Sequence, residues 1–320
     1  MRALLGVGEA GNFPGAAKAV SEWFPAKERA VATGIFNIGA GLGAAVAPPL
    51  IGFLIIKFGW QAAFIATGAI GFLWIAMWLA FYRTPEEHPW ISPEELRYIR
   101  EGQAKTSEAE EKVTASPWRE ALASRDLWAL IAARFLTDPV WLFFALWLPK
   151  YFKTARGFDI KEIALFVWIP FLAADIGSVV GGAVSGYFIK RGWPVLKARK
   201  TAMLLSAALM PMSIPAVMVG SWQWALVFLC LPTFAHQSWA ASLLTLPSDL
   251  FPRRMVATAY GLTGTLGILG AAVLQIVIGR VVDVSSYTPI FIAAGFMHPI
   301  GALIVWSVVG REKTPAQACA

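Results

Sequence analysis

Arg2, Glu9 and Asn12 stand in an otherwise apolar stretch, at spacings that give them one side of a helix. Seven residues is close to two α-helical turns, so Arg2 and Glu9 share a face about 10 Å apart along the axis. Asn12 follows three residues later and continues that face. Arg2 offers a planar cationic fork that suits a carboxylate bidentately. Glu9 exists ionised or protonated and can carry a proton. Charges inside a bilayer-length segment are costly, and by default they mark a path for solute or ions. The competing reading is an ion pair that only holds helices together.

Further polar residues sit at the same kind of depth. Asn37 and Gln237 can bond hydroxyls, or serve as structural hydrogen bonds. The run His236-Gln237-Ser238-Trp239 combines an imidazole with an aromatic face, against the plainer reading of a bonded core histidine beside a packing tryptophan. Arg134 and Asp138 are four apart, the spacing of a local helical salt bridge, and Asp138 is also a gating candidate. Asp175 lies in the middle of an apolar run as a helix-packing, gating or ligand group. Trp141, Phe143, Phe144, Trp147 and Tyr151 read as packing and interfacial belt. Enzyme signatures are lacking: no phosphate loop ending in Gly-Lys-Ser/Thr, no metal-spaced His/Cys set, no Gly-x-Ser-x-Gly elbow. The sequence therefore predicts no catalytic residue, no metal and no cofactor.

The elements that must position these groups are membrane helices. Hydrophobic residues make up 57% and charged residues 15%, with a mean hydropathy of +0.60; soluble domains carry about 25% charge. Nine spans are expected, near 2–24, 31–56, 60–82, 126–152, 160–189, 200–219, 222–247, 256–280 and 287–309. Residues 83–125 form the one long polar segment, and Ser92-Pro93-Glu94-Glu95 starts a helix there, with Ser as cap and Pro in the first turn. Most Lys and Arg, including Lys27, Arg29, the linker set and Arg199, fall on one side, which the charge rule makes cytoplasmic. Lys150, Lys153, Arg156 and Lys161 fall on the other side, where they can attract an anionic solute. The net charge of +7 is thus a loop surplus rather than a nucleic-acid footprint.

Ser21-Glu22-Trp23-Phe24-Pro25 recurs as Ser248-Asp249-Leu250-Phe251-Pro252, an offset of 227 residues. The same offset pairs Gly43-Ala44-Ala45-Val46 with Gly270-Ala271-Ala272-Val273, and Glu9 with His236. Two halves of similar build follow. Residues 1–82 are expected to be the remnant of an N-terminal half, 83–125 a cytoplasmic linker, 126–310 a six-span C-terminal half and 311–320 a tail. On this register, three spans upstream of Met1 are missing, and the chain alone is not expected to transport.

These blocks carry a resemblance. Arg2-x-x-x-Gly6-x-Gly8 resembles the fourth-span motif of the major facilitator superfamily, twelve spans in two six-span halves. Gly6-Val7-Gly8-Glu9-Ala10-Gly11-Asn12-Phe13-Pro14, Asp138-Pro139-Val140-Trp141 and His236-Gln237-Ser238-Trp239 resemble its anion:cation symporter branch, in particular hexuronate transporters. The resemblance covers the chain as spans four to twelve. It implies an all-α bundle in the inner membrane, expected to be monomeric, that moves a small organic anion with protons by alternating access. It implies that Arg2 and Glu9 lie in the substrate and proton pathway and that Trp239 lines the sugar site. With the polar residues read above, the substrate-site candidates are Arg2, Asn12, Asn37, His236, Gln237 and Trp239, the proton carrier is Glu9, and Asp138 and Asp175 are gating candidates. Ala40 departs from the polar Gln of galactonate relatives, and Gly186 from the Asp common after span eight. The alternatives are another organic anion (aldonate, tartrate or aromatic acid) and a transporter-derived sensor or scaffold.

The charge asymmetry makes a direct prediction. A cysteine at Gly102 should label from the cytoplasmic side, and labelling only from the periplasm would reverse the orientation.

Overall fold

The computed structural model describes residues 6, 8, 10–103 and 116–310, and every regular element among them is helical. The helices are α1 (Asn12–Trp23), α2 (Ala26–Phe58), α3 (Trp60–Phe81), α4 (Pro93–Glu101), α5 (Pro117–Ala123), α6 (Arg125–Arg156) and α7 (Ile160–Phe166). They continue as α8 (Ile169–Lys190), α9 (Val195–Ala207), α10 (Ser213–Met218), α11 (Trp222–Leu243), α12 (Leu246–Leu250), α13 (Arg253–Val284) and α14 (Thr288–Val308). Among the described residues, six stretches are long and apolar enough to cross a membrane: α3, α6, α8, Val195–Met218, most of α13, and α14. The other three of the nine expected spans fall on α1, α2 and α11. The expected span at 160–189 is broken, because α7 ends at Phe166 and Pro170 occupies the first turn of α8. Pro211 marks a similar break between α9 and α10.

The repeat is visible in the backbone. Phe24 and Phe251 are extended, at φ −119°, ψ 134° and φ −111°, ψ 148°. Pro25 and Pro252 then cap 33- and 32-residue helices at φ −63°, ψ 154° and φ −61°, ψ 154°. A proline ring fixes that φ and contributes no N–H, so the same two residues set the entry angle of α2 and α13. The linker helix α4 starts as its sequence predicts, with Ser92 Oγ accepting from the Glu95 N–H at 3.1 Å. Gln103 then donates to the carbonyls of Ser21 and Glu22 at 3.1 and 3.0 Å, docking the linker under α1. Tyr82 donates to Glu22 at 2.8 Å; burial, and then this bond, push its phenol up, so it stays a donor.

α8 joins the two sides of the molecule, and its glycines decide how closely. A Cβ on Gly177 or Gly181 would lie 2.1 or 2.4 Å from backbone oxygens of α11. A Cβ on Gly182 would lie 2.5 Å from the Ala30 carbonyl oxygen of α2. Ser178 Oγ donates to the Gly34 carbonyl at 3.1 Å. The approach of α2 to α8 thus runs between residues 27–34 and 178–186, next to the face richest in Lys and Arg.

Beside that seam lies a buried charge cluster. Asp249 accepts from Arg29 Nη1 at 3.2 Å and from Arg199 Nε at 3.0 Å. The three side chains are 2%, 5% and 0% exposed in that order. Arg29 also donates to the Ser248 carbonyl at 2.9 Å, and Arg199 to Ser185 Oγ and the Ala26 carbonyl, both at 2.7 Å. Arg29 and Arg199, which the charge pattern puts on the cytoplasmic side, are buried there as partners of one carboxylate. Arg156, placed with an anion-attracting cluster, likewise has a structural role. It donates to Tyr151 Oη at 2.8 Å and to the Val219 and Ala216 carbonyls at 2.6 and 3.0 Å, satisfying the C-terminal end of α10.

Removing Asp249 leaves two buried guanidiniums without their shared carboxylate. Asp249→Ala should cost about 3–5 kcal/mol, read as a lower melting temperature of the purified protein. Gly182→Val should open the seam, raising labelling of a cysteine placed at Ala183. Gly102 is packed on Pro25, with a built Cβ only 2.2 Å from Pro25 Cβ. Exposed Glu101 is therefore the better labelling position for orientation.

Candidate functional site

A cavity of about 920 Å³ lies among α1, α2, α6, α11 and α13. Asn12 and Asn37 line it from α1 and α2; His236, Gln237 and Trp239 from α11; Arg134, Asp138 and Trp141 from α6; and Tyr260 from α13. Residues far apart in sequence are thereby gathered around one space. Arg2 and Glu9 lie outside the described residues, but Gly6 and Ala10 of the same stretch are in the wall. Asp175 is not in the wall; it sits half-buried on α8.

Arg134 and Asp138 form the predicted four-residue pair. Arg134 Nε and Nη2 both reach Asp138 Oδ2 at 2.9 Å. The sequence signal for their placement is a glycine stripe on α13. A Cβ on Gly264 would come within 3.2 Å of Arg134 Nη1, and one on Gly267 within 2.4 Å of Asp138 Oδ2. Glycine at those two turns lets the ion pair lie flat against α13. The guanidinium also stands 5.8 Å from the centre of the Tyr260 ring.

The pair consumes only part of the fork, since Arg134 Nη1 is buried with no hydrogen-bond partner among the described residues. Asn37 Nδ2 and Trp239 Nε1 are in the same condition. Three buried donors on three helices that line one cavity therefore have no protein acceptor among the described residues. Burying a donor without its partner costs about 1–3 kcal/mol, so a cluster of them points to function rather than packing. What suits such a wall is a solute rich in oxygen acceptors, with a negative group for Arg134.

The aromatic side of the cavity is ordered. Trp141 stacks on His236 with centroids 5.2 Å apart and planes at 10°. His236 Nδ1 lies 2.9 Å from His298 Nε2, and the His298 ring meets Trp239 edge-on at 5.4 Å. Trp239 and His298 are fully buried. The sequence reading took Trp141 as packing and passed over Tyr260 and His298. A histidine in the apolar run 288–308 was the available signal for the last of these. Among the described residues, no group of three His, Cys, Asp or Glu side chains is placed to hold a metal ion.

Comparison with known proteins places this cavity in context. The sequence profile described as Major Facilitator Superfamily matches residues 1–275. The chain is 38% identical over 318 residues to a protein named hexuronate transporter from Escherichia coli (strain K12), covering 97% of this chain and 72% of the relative. It is 41% identical over 210 residues to a galacturonate transporter from Dickeya chrysanthemi, covering 65% of this chain and 61% of the relative. Among solved structures, that of the proton:xylose symporter XylE bound to 6-bromo-6-deoxy-D-glucose superposes with a TM-score of 0.63 at 12% identity. That match covers 91% of this chain and 66% of the other, and it shows a shared fold. These relatives are named as transporters, in keeping with the expectation of a protein that is not an enzyme.

The unserved donors predict an asymmetry between stability and binding. Asn37→Leu removes one of them at nearly constant volume. It should leave the melting temperature of the ligand-free protein unchanged or raised while weakening binding of an oxygen-rich solute. A lowered melting temperature would mean that Asn37 is part of the packing.

Proposed function

The chain belongs to the Major Facilitator Superfamily, as a multi-pass membrane protein, and from that premise we propose that it is a proton-coupled symporter for a sugar-acid anion, a hexuronate such as glucuronate or galacturonate. The single observation that carries this reading is the half-used Arg134 fork in a wall of unserved donors. A hexuronate matches that wall, with one carboxylate for Arg134 Nη1 and hydroxyls within the repertoire of Asn12, Asn37 and Gln237. The apolar ring face of a sugar suits Trp239 and Trp141. The names of the relatives support the same substrate class.

In this proposal the protein lies in the inner membrane with the Lys- and Arg-rich face in the cytoplasm. The Asp249 cluster and the glycine seam close that face, so substrate enters from outside. Opening inward requires Arg29 and Asp249 to part, with Asp175 and Asp138 as gating groups. Glu9 carries the proton, and Arg2 is a second anchor for the anion. Ionised Glu9 partly neutralises Arg2 and repels a carboxylate, whereas protonated Glu9 leaves Arg2 to the substrate. Proton and anion then favour each other's binding reciprocally, typically by about 1–3 kcal/mol. Residues 1–82 and 126–310 act as the two moving sides, joined by the 83–125 linker.

The test is binding and uptake of D-glucuronate in vesicles by a version of the protein with the three upstream spans restored, with D-glucose as the neutral control. Glucuronate should bind, glucose should not, and an inward proton gradient should concentrate glucuronate. Arg134→Gln should weaken glucuronate binding by about tenfold or more. Glu9→Gln should keep counterflow exchange and lose gradient-driven uptake. Gradient-driven uptake surviving in Glu9→Gln but lost in His236→Gln would move the proton to His236. Equal binding of glucose and glucuronate would reject the anion reading.

A further inference from the structure

His298 belongs to no motif, yet it is fully buried and holds the inner edge of a cavity residue. We propose that His298 is a positioning residue: by donating from Nε2 to His236 Nδ1, it fixes His236 as an N–H donor into the cavity, where it bonds an oxygen of the anion. The inference deepens the transporter reading and rests on it for the identity of the solute.

A neutral imidazole has one N–H and one bare nitrogen. Across the 2.9 Å contact between His236 Nδ1 and His298 Nε2, one ring must donate and the other accept. His298 Nδ1 is buried without a partner among the described residues. If His236 donated, His298 would carry its proton on that Nδ1, as an orphaned buried N–H. If His298 donates, Nδ1 is a bare acceptor. Orphaned buried donors are rarer than under-used acceptors, so His298 donates. His236 then accepts at Nδ1 and carries its own proton on Nε2, the nitrogen left for the cavity. Trp141, stacked on the His236 ring, and Trp239, edge-on to His298, fix both ring planes. Among the described residues, the charged and titratable neighbours in the wall are Arg134 and Asp138 on α6 and Tyr260 on α13. The donor on His236 joins those of Arg134, Asn37 and Trp239, so the wall presents donors from four side chains to one anion.

The chain contains three histidines, His88, His236 and His298, which makes a direct measurement practical. Ring ¹⁵N shifts of histidine-labelled protein in lipid nanodiscs, assigned with His88→Gln and His298→Gln, should show both buried rings protonated at Nε2 only. A proton on His236 Nδ1, or two protons on either ring, overturns the proposal. Calorimetry with D-glucuronate supplies the second arm. His298→Phe should weaken binding by about tenfold. His298→Gln, whose Nε2 can still donate to His236, should recover most of that loss. Equal affinity of His298→Phe and the unaltered protein overturns the positioning role. If the unaltered protein does not bind glucuronate, the substrate reading fails, and the ¹⁵N shifts alone decide the pairing.

Discussion

One carboxylate holds the basic face together. Asp249 lies between Arg29 and Arg199, and all three are buried. Two guanidiniums that near one another repel unless a negative charge separates them. Each guanidinium also satisfies carbonyls of neighbouring helix ends, so the cluster fixes where α2, α9 and α12 meet. That meeting point lies beside the seam between α2 and α8, where Arg199 bonds the Ala26 carbonyl and Gly182 faces that of Ala30.

The cavity follows the opposite rule. At the basic face, polar groups are matched with partners; around the cavity, Arg134, Asn37 and Trp239 each keep a donor unspent among the described residues. Interiors seldom tolerate such groups, because desolvating a donor without a partner is unfavourable. Here they come from three different helices and converge. Stability is concentrated in one cluster and forgone in the other, a division expected of a protein that binds and releases a solute.

How much of this was legible in the sequence depended on whether the signal was local. Ser92-Pro93 announced α4, and the Phe-Pro repeat announced the matched entries to α2 and α13, since capping and proline geometry act over a few residues. Asn12, Asn37, His236, Gln237 and Trp239, singled out for polarity in apolar runs, share one cavity. The burial of Arg29 and Arg199 was not legible, because a charge near a span end looks the same in sequence whether it meets solvent or a distant carboxylate. Asp249 was noticed only as a repeat position. The importance of His298 depends on a ring 62 residues away, and no periodicity within α14 encodes that. The glycines of α13 were readable as packing residues, but what they pack, an ion pair on α6, was not.

In the seam between α2 and α8, Gly182 and Gly186 face the carbonyls of residues 27–30. Glycine has no side chain to freeze when two surfaces meet, whereas a long side chain loses up to about 1.5–2 kcal/mol of rotamer freedom on burial. These glycine contacts therefore order almost nothing when they form and release almost nothing when they part. In the proposed alternation between two arrangements they favour neither, which leaves the balance to the side chains around Asp249 and to whatever occupies the cavity.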